Sequence, residues 1–364
     1  MPTLRINTTA LLHNLKALQA AAGDAQVIPV LKANAYGLGA VRVAALLAQA
    51  GVRLVAVSRL EEAEELAAAR VPLEVLLMTP YHTESALQKI AALGLTAAIE
   101  SVEQAQTLNA LAQGSVKVHL KFDTGMGRFG FLPPQAKQAA EAVLALKNLR
   151  VTGVFSHLSN CFRPGEKSVL CQAEAFDGVV NTLRENGVEP GLTHLANTNG
   201  LLLYPGLRHN AVRSGSALLG RLAYADRWGF RPVCELQAEI CGVRTLPAGH
   251  TIGYANTYIT KQKTRVAVVP VGYADGIFTE KSRDTFRFFD LLRYLYHDAL
   301  LLLKKPRLAG VLHGRRVPVV GRVGLTNLSL DVTNVDCAPG DTVSFYVNPL
   351  LVRETAARVY AEDA

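Results

Sequence analysis

Up to about residue 220, short apolar runs alternate with longer alanine- and leucine-rich stretches whose apolar positions recur at helical spacing. That rhythm is the pattern of repeated βα units. Strand candidates begin near Val27, Arg53, Leu73, Leu95, Val116, Val151, Leu192 and Ala211, with helical segments such as Leu60 to Ala69, Glu103 to Ala112 and Pro134 to Leu146 between them. Eight parallel strands with crossovers predict an α/β fold of the (β/α)8 TIM-barrel type, whose active site lies at the C-terminal ends of the strands. After about Phe230 the texture changes to β-branched runs broken by glycine and proline: Arg265 to Val271, Arg316 to Val320, Leu328 to Val332 and Thr342 to Val347. These predict a mostly β C-terminal domain. The expected division is a barrel over residues 8–228 and a β domain over 229–364 joined by residues 1–7. An interruption near 279–305, beginning at Phe286-Arg287-Phe288-Phe289, has the spacing of an amphipathic helix with a basic face, suited to packing or to a dimer contact.

Chemistry-capable side chains sit where the strands should end. Lys32 closes the first, Lys121 and Asp123 the fifth, His157 the sixth, His194 and Asn197 the seventh, and Arg213 lies in the eighth. A lysine in that position is a candidate Schiff-base residue, because an amine in an apolar pocket loses the solvation of its charged form and becomes a usable nucleophile toward an aldehyde cofactor. A strand-end lysine is also, and more often, a surface residue that lays its stem on apolar neighbours.

Composition narrows the class. With 49% hydrophobic residues the 364-residue chain can bury a large core. No apolar segment approaches the ~20 residues needed to span a bilayer, and Met1-Pro2-Thr3-Leu4-Arg5-Ile6 does not read as a secretory signal, so a cytoplasmic protein without a membrane partner is expected. Cys161, Cys171, Cys234, Cys241 and Cys337 show no paired metal-type spacing, so no metal site is expected. The net charge of +8 is spread rather than clustered, which favours attraction of small anions over nucleic-acid binding.

Several motifs together resemble the alanine racemase family, whose members join a barrel to a β domain and use pyridoxal 5'-phosphate. The first is Lys32-Ala33-Asn34-Ala35-Tyr36-Gly37-Leu38-Gly39, and the second is Leu120-Lys121-Phe122-Asp123-Thr124-Gly125-Met126-Gly127-Arg128-Phe129-Gly130. Phe155-Ser156-His157-Leu158, His194-Leu195-Ala196-Asn197-Thr198 and Val212-Arg213-Ser214-Gly215-Ser216 follow, then Ile252-Gly253-Tyr254-Ala255-Asn256 and Gly272-Tyr273-Ala274-Asp275-Gly276. The resemblance implies that Lys32 carries the cofactor and that Tyr36, His157, Asn197, Thr198, Arg213, Gly215 and Ser216 help to bind it. Arg213 would meet the pyridine nitrogen, where an arginine does not readily surrender its proton. By the same resemblance Arg128, Leu325 and Tyr273 contact the substrate, and Lys121 is a site of possible carbamylation. Tyr254 would reach in from the partner of a homodimer. Lys32 and Tyr254 would then be the two acid–base groups that inversion at an α-carbon requires.

The expected activity is interconversion of L- and D-alanine. Two departures bear on the substrate. Where the family has methionine and aspartate after a glycine-arginine-valine signature, this chain has Leu325-Thr326. The segment between Leu351 and Arg358 is also shorter than the family's gate region. These leave open a broader racemase, or one for serine, lysine or ornithine. A non-catalytic pyridoxal phosphate carrier is a further alternative, against which the retained Tyr254 motif argues. A decarboxylase is expected to place an acid, not Arg213, against the ring nitrogen.

Overall fold

Strand β1 (Thr3–Asn7) does not enter the barrel that follows it in sequence. It pairs antiparallel with Cys234–Glu239 and parallel with Ala357–Ala361, which binds the N-terminal strand to the C-terminal unit. The structure, a computed structural model, describes residues 2–220, 225–280, 282–283, 285–303 and 308–362. Contacts divide the chain into two units, residues 8–233 and residues 1–7 with 234–364.

The first unit contains, among the described residues, eight parallel strands: β2 (Gln26–Pro29), β3 (Leu54–Val57), β4 (Glu74–Leu77), β5 (Thr96–Ile99), β6 (Val116–Lys121), β7 (Leu149–Phe155), β8 (Leu192–His194) and β9 (Ala211–Ser214). β3 to β8 pair in sequence order, and β2 pairs with β9. Two seams close the ring. Val30, just past β2, bridges Ala56 of β3, and the Arg213 amide of β9 donates at 3.0 Å to Ala196 O, just past β8. The strands are short and almost wholly apolar because helices cover their outer face and side chains fill the interior. Ile28, Leu54, Ala56, Leu76 and Ala211 form one such interior cluster. The predicted helices appear as Leu60–Ala68, Val102–Leu111 and Ala136–Ala145.

β6 and β7 slip register between Val118 and His119. Gly153 on β7 is the reason the slip is tolerated: a Cβ there would lie 2.5–2.6 Å from the His119 ring, which occupies that space. The irregularity thus admits a buried histidine where an aliphatic residue would be usual.

The second unit contains, among its described residues, a nine-stranded, mostly antiparallel sheet with Leu236, Val269, Leu312, Leu330, Val343 and Phe345 buried in it, and a two-stranded ribbon of Thr251–Ile252 with Tyr258–Ile259. The predicted strands appear as Thr264–Val269, Arg315–Val320, Leu328–Asp331 and Thr342–Phe345. The interruption forms a helix, Phe288–Leu303, although residues 281, 284, 304 and 305 of the expected segment lie outside the described residues. Its face is not basic, contrary to expectation. Arg293 meets Asp290 at 3.3 Å, and Arg283 of the preceding loop meets Asp298 at 2.5 Å and stacks on Tyr294. The loop therefore neutralises the polar side, while Phe288, Phe289, Leu291, Leu292, Leu295 and Tyr296 are exposed. Among the described residues no helix is long and apolar enough to cross a membrane.

Candidate active site

The chain leaves β2 through an uncommon backbone. Leu31 donates to Ala56 O at 2.8 Å, and then Ala33, Asn34, Ala35 and Tyr36 all have φ between 50° and 55° before Gly37 at 88°. A left-handed residue other than glycine costs about 1–2 kcal/mol, so a run of four needs outside support. The Gly37 amide returns to Ala33 O at 2.9 Å, Asn34 Oδ1 accepts from the Ala40 amide at 2.6 Å, and Glu62 Oε1 accepts from the Ala33 amide at 2.5 Å. The turn brings Lys32 and Tyr36 to one cavity, with Lys32 Nζ 5.9 Å from the Tyr36 ring centre. Lys32 is accessible from that cavity, yet partial burial of its amine lowers its pKa. The Arg128 charge lowers it further, Glu62 opposes, and Arg213 adds to the depression.

Arg213 is almost fully buried and its terminal nitrogens are committed to the protein. One donates to His194 Nδ1 and to His194 O, both at 2.6 Å. The other donates to Ser156 O at 2.6 Å, Leu195 O at 3.2 Å and His157 Nδ1 at 3.3 Å. Guanidinium has donors only, so it fixes the tautomers of its partners. Both Nδ1 atoms must be bare acceptors. His194 therefore carries its proton on Nε2 and donates it to His119 Nδ1 at 2.9 Å. Burial and the Arg213 charge push His119 and His157 down to about 3 and hold His194 well below the usual range. All three are neutral at pH 7, so in the contact between His157 and Arg213 the positive charge belongs to the arginine alone. Burial and Arg128 bring Arg213 down to about 9, which leaves it charged at neutral pH. Arg213 lines the cavity, and among the described residues no protein acceptor takes its Nε–H, which leaves that donor for a ligand.

The cavity has a volume of about 240 Å³. Lys32, Tyr36, His157, Asn197, Thr198, Arg213, Gly215 and Ser216 line it together with Val30, Met78, Phe162 and Asn199. At one end Thr198 Oγ1 meets Ser214 Oγ at 2.9 Å and Ser216 Oγ at 3.4 Å. Gly215 is required there, since a Cβ would lie 2.6 Å from Tyr36 Oη. Hydroxyl groups and an unshielded backbone brought together in this way suit a phosphate. Asn197 Oδ1 is turned to other work, accepting from the Gly200 amide at 3.0 Å and from Cys161 Sγ at 3.1 Å.

Lys121, at the end of β6, is buried, with Nζ 4.6 Å from the Phe155 ring centre and 3.4 Å from Met78 O. Burial, Arg213 and Arg128 lower its pKa to about 7. An ion pair between Lys121 and Asp123 is the plainer expectation for such neighbours, and none forms among the described residues. Asp123 instead accepts from the amides of Gly125, Met126 and Arg128 at 2.7–2.9 Å. Burial works to raise its pKa, but these amide bonds hold it below the usual carboxylate range. The loop ends where Glu100 accepts from the Gly130 amide at 2.6 Å. Arg128 is exposed on this loop and acts electrostatically on Lys32.

The remaining candidates lie in the β unit. Tyr254, 74% exposed, and Leu325 line a second cavity of about 590 Å³ with Arg322, Thr326 and Asn327. Tyr273 is close in backbone terms, its amide donating to Gly324 O at 3.1 Å, while the Ala274 amide donates to Leu325 O at 3.1 Å. A Cβ on Gly272 would lie 2.3–2.5 Å from the carbonyls of Gly324 and Leu325, so this close passage requires glycine.

Sequence reasoning missed Glu62, His119, Met78 and Phe162. Only Glu62 carried a local signal: a glutamate three residues into a helix, where it can reach back to the first amides, as it does to those of Ser58 and Arg59 at 3.0 Å.

Comparison with known proteins agrees with both units. Residues 6–223 match the family model "Alanine racemase, N-terminal domain" and residues 233–361 match "Alanine racemase, C-terminal domain". The chain is 30% identical over 351 residues to the alanine racemase of Methanococcus maripaludis, covering 94% of this chain and 87% of that protein. It is 32% identical over 336 residues to that of Symbiobacterium thermophilum, covering 90% and 82%. Among solved structures, alanine racemase of Clostridium difficile 630 superposes with a TM-score of 0.83 at 26% identity, covering 100% of this chain and 96% of that one. With both family models matched across the barrel and the β unit, and relatives 30–32% identical over nearly the whole chain, the chain belongs to the alanine racemase family.

Proposed function

We propose that this chain is a pyridoxal-phosphate-dependent alanine racemase that works as a homodimer. The observation that carries the reading is the convergence, on one cavity, of an amine with a lowered pKa, an arginine with one donor to spare, and a hydroxyl cluster beside Gly215. Pyridoxal phosphate fits these groups chemically, and bound there it supplies an aldehyde for an amine and a conjugated ring that accepts the electron pair left by a departing α-proton.

Each residue then has a task that its surroundings support. Tyr36, Thr198 and Ser216 offer hydroxyl donors to a phosphate, and Gly215 permits close backbone approach. Lys32 Nζ, depressed in pKa, is a nucleophile when neutral and can hold or return a proton. Arg213 would hold the ring nitrogen through its Nε–H, and a guanidinium there would not readily give up its proton, which suits simple proton exchange. Arg128 presents a fork of donors to the substrate carboxylate. Lys121, neutral in a large fraction at pH 7, can add CO2 through its nitrogen lone pair and release a proton to solvent, leaving a carbamate anion that would attract Arg128. Tyr254 supplies the second acid–base group from the partner subunit, with Tyr273 and Leu325 beside the substrate.

Exchange of the α-proton in D2O, followed by NMR, tests this with alanine, serine, lysine, ornithine and glutamate. Exchange of alanine with appearance of its enantiomer is expected. Preferential exchange of another member of the panel would replace alanine as substrate, and no exchange by cofactor-loaded protein would favour a carrier over a racemase.

A further inference from the structure

Four consecutive left-handed residues persist only where the surroundings over-determine them. Beside the local bonds of Asn34, the turn at 33–36 is tied to the neighbouring β3 segment by a buried carboxylate, that of Glu62. Oε1 takes the Ala33 amide at 2.5 Å, while Oε2 takes the amides of Ser58 and Arg59 at 3.0 Å. One side chain therefore binds the residue after Lys32 to the end of β3 and to the start of the helix Leu60–Ala68. Among the described residues Glu62 has no cationic partner in ion-pair contact. The groups that act on the Lys32 amine are Arg128 and Arg213, which disfavour its charge, and Glu62, which favours it.

We propose that Glu62 is a positioning residue for Lys32: its carboxylate pins the left-handed turn that aims the lysine and is the anion that balances Arg128 and Arg213 around the amine. The inference rests on the reading of Lys32 as the cofactor lysine. It asks of Glu62 no contact with cofactor or substrate.

The test uses the protein freed of cofactor, where accessible Lys32 can be labelled by trace acetic anhydride across a pH range and followed by peptide mass spectrometry. Glu62→Gln removes the charge and sets an amide donor against backbone donors. Its Lys32 should titrate at lower pH and be labelled roughly five- to tenfold faster at neutral pH. Glu61→Gln, an exposed neighbour, should change nothing. Glu62→Asp keeps the charge but shortens the reach, so the Lys32 titration should hold while covalent attachment of pyridoxal phosphate slows by about tenfold. A Glu62→Gln profile that superimposes on the wild type would overturn the inference. If that variant does not fold, wild-type attachment kinetics in Glu62→Asp would do the same. Borohydride reduction of the wild-type protein with pyridoxal phosphate keeps the two readings apart, because a label on any lysine other than Lys32 sinks the functional reading and leaves the titration to judge Glu62 by itself.

Discussion

Lys121 shows how far burial alone can move a side chain toward new chemistry. Its amine lies against Phe155 and Phe129 with one long contact to Met78 O, and its pKa falls to about 7. The folded state thus prefers the neutral amine, whereas the unfolded chain holds its proton up to the ordinary lysine value of 10.5. Between these values the unfolded state binds more protons, so this residue's contribution to stability must rise with pH from about 7 upward. In CO2-free buffer, the thermal stability of the wild type relative to Lys121→Met should therefore improve from pH 7 to pH 10. A flat difference would mean that the amine is solvated. Adding bicarbonate labelled with carbon-13 should give a carbamate resonance that Lys121→Met lacks. Lys121 was legible in the sequence because its motif is contiguous. His119 was not, and Glu62 was legible only as a helix cap, because what they do lies in the His194 ring and the Ala33 amide, 75 and 29 positions away.

The loop that follows β6 is organised by backbone amides rather than by side-chain packing. Asp123 gathers three of them and Glu100 takes a fourth from Gly130. Two of its glycines differ in what they allow. Gly127 has φ 69° with nothing within 4 Å of a built Cβ, whereas Gly130 has φ 125° and a Cβ there would lie 2.6 Å from Phe122 C and Asp123 N. Gly127→Ala should cost about 1–2 kcal/mol of stability from backbone strain alone. Gly130→Ala should cost that and about 1–3 kcal/mol more, since rigid backbone must move, and it should lower substrate affinity by displacing Arg128. Equal losses in chemical denaturation would show that the loop is not fixed at Gly130. The strands were the most legible elements, since a run such as Leu54–Val57 is fully buried and its turn signals bound it. The helix Phe288–Leu303 was legible as a helix but not in its orientation. Periodicity identifies an apolar side without saying which side the chain covers, and here the loop bearing Arg283 took the polar one.

At the scale of the molecule, the proposed acid–base pair is divided between the units: Lys32 in the barrel, Tyr254 in the β unit and largely exposed. A two-base racemase needs both at one substrate. On the proposed homodimer, each site takes Lys32 from one subunit and Tyr254 from the other, and that arrangement has a consequence that a site built within one chain does not share. Lys32→Ala and Tyr254→Phe should each be inactive or nearly so as pure proteins, the second losing about 10²–10⁴-fold. Unfolding them together and refolding the mixture makes about half the dimers mixed. In a mixed dimer one site carries both substitutions, while the other retains both native groups. Activity should therefore recover to about one quarter of the wild type, saturating with exchange and lost on dilution below the dimer's dissociation range. Were both groups drawn from the same chain, every site in the mixture would lack one of them and no activity would return. The quarter-recovery also separates composite catalysis from mere dimerisation, because a dimer with self-contained sites would pass any test of mass and still fail this one.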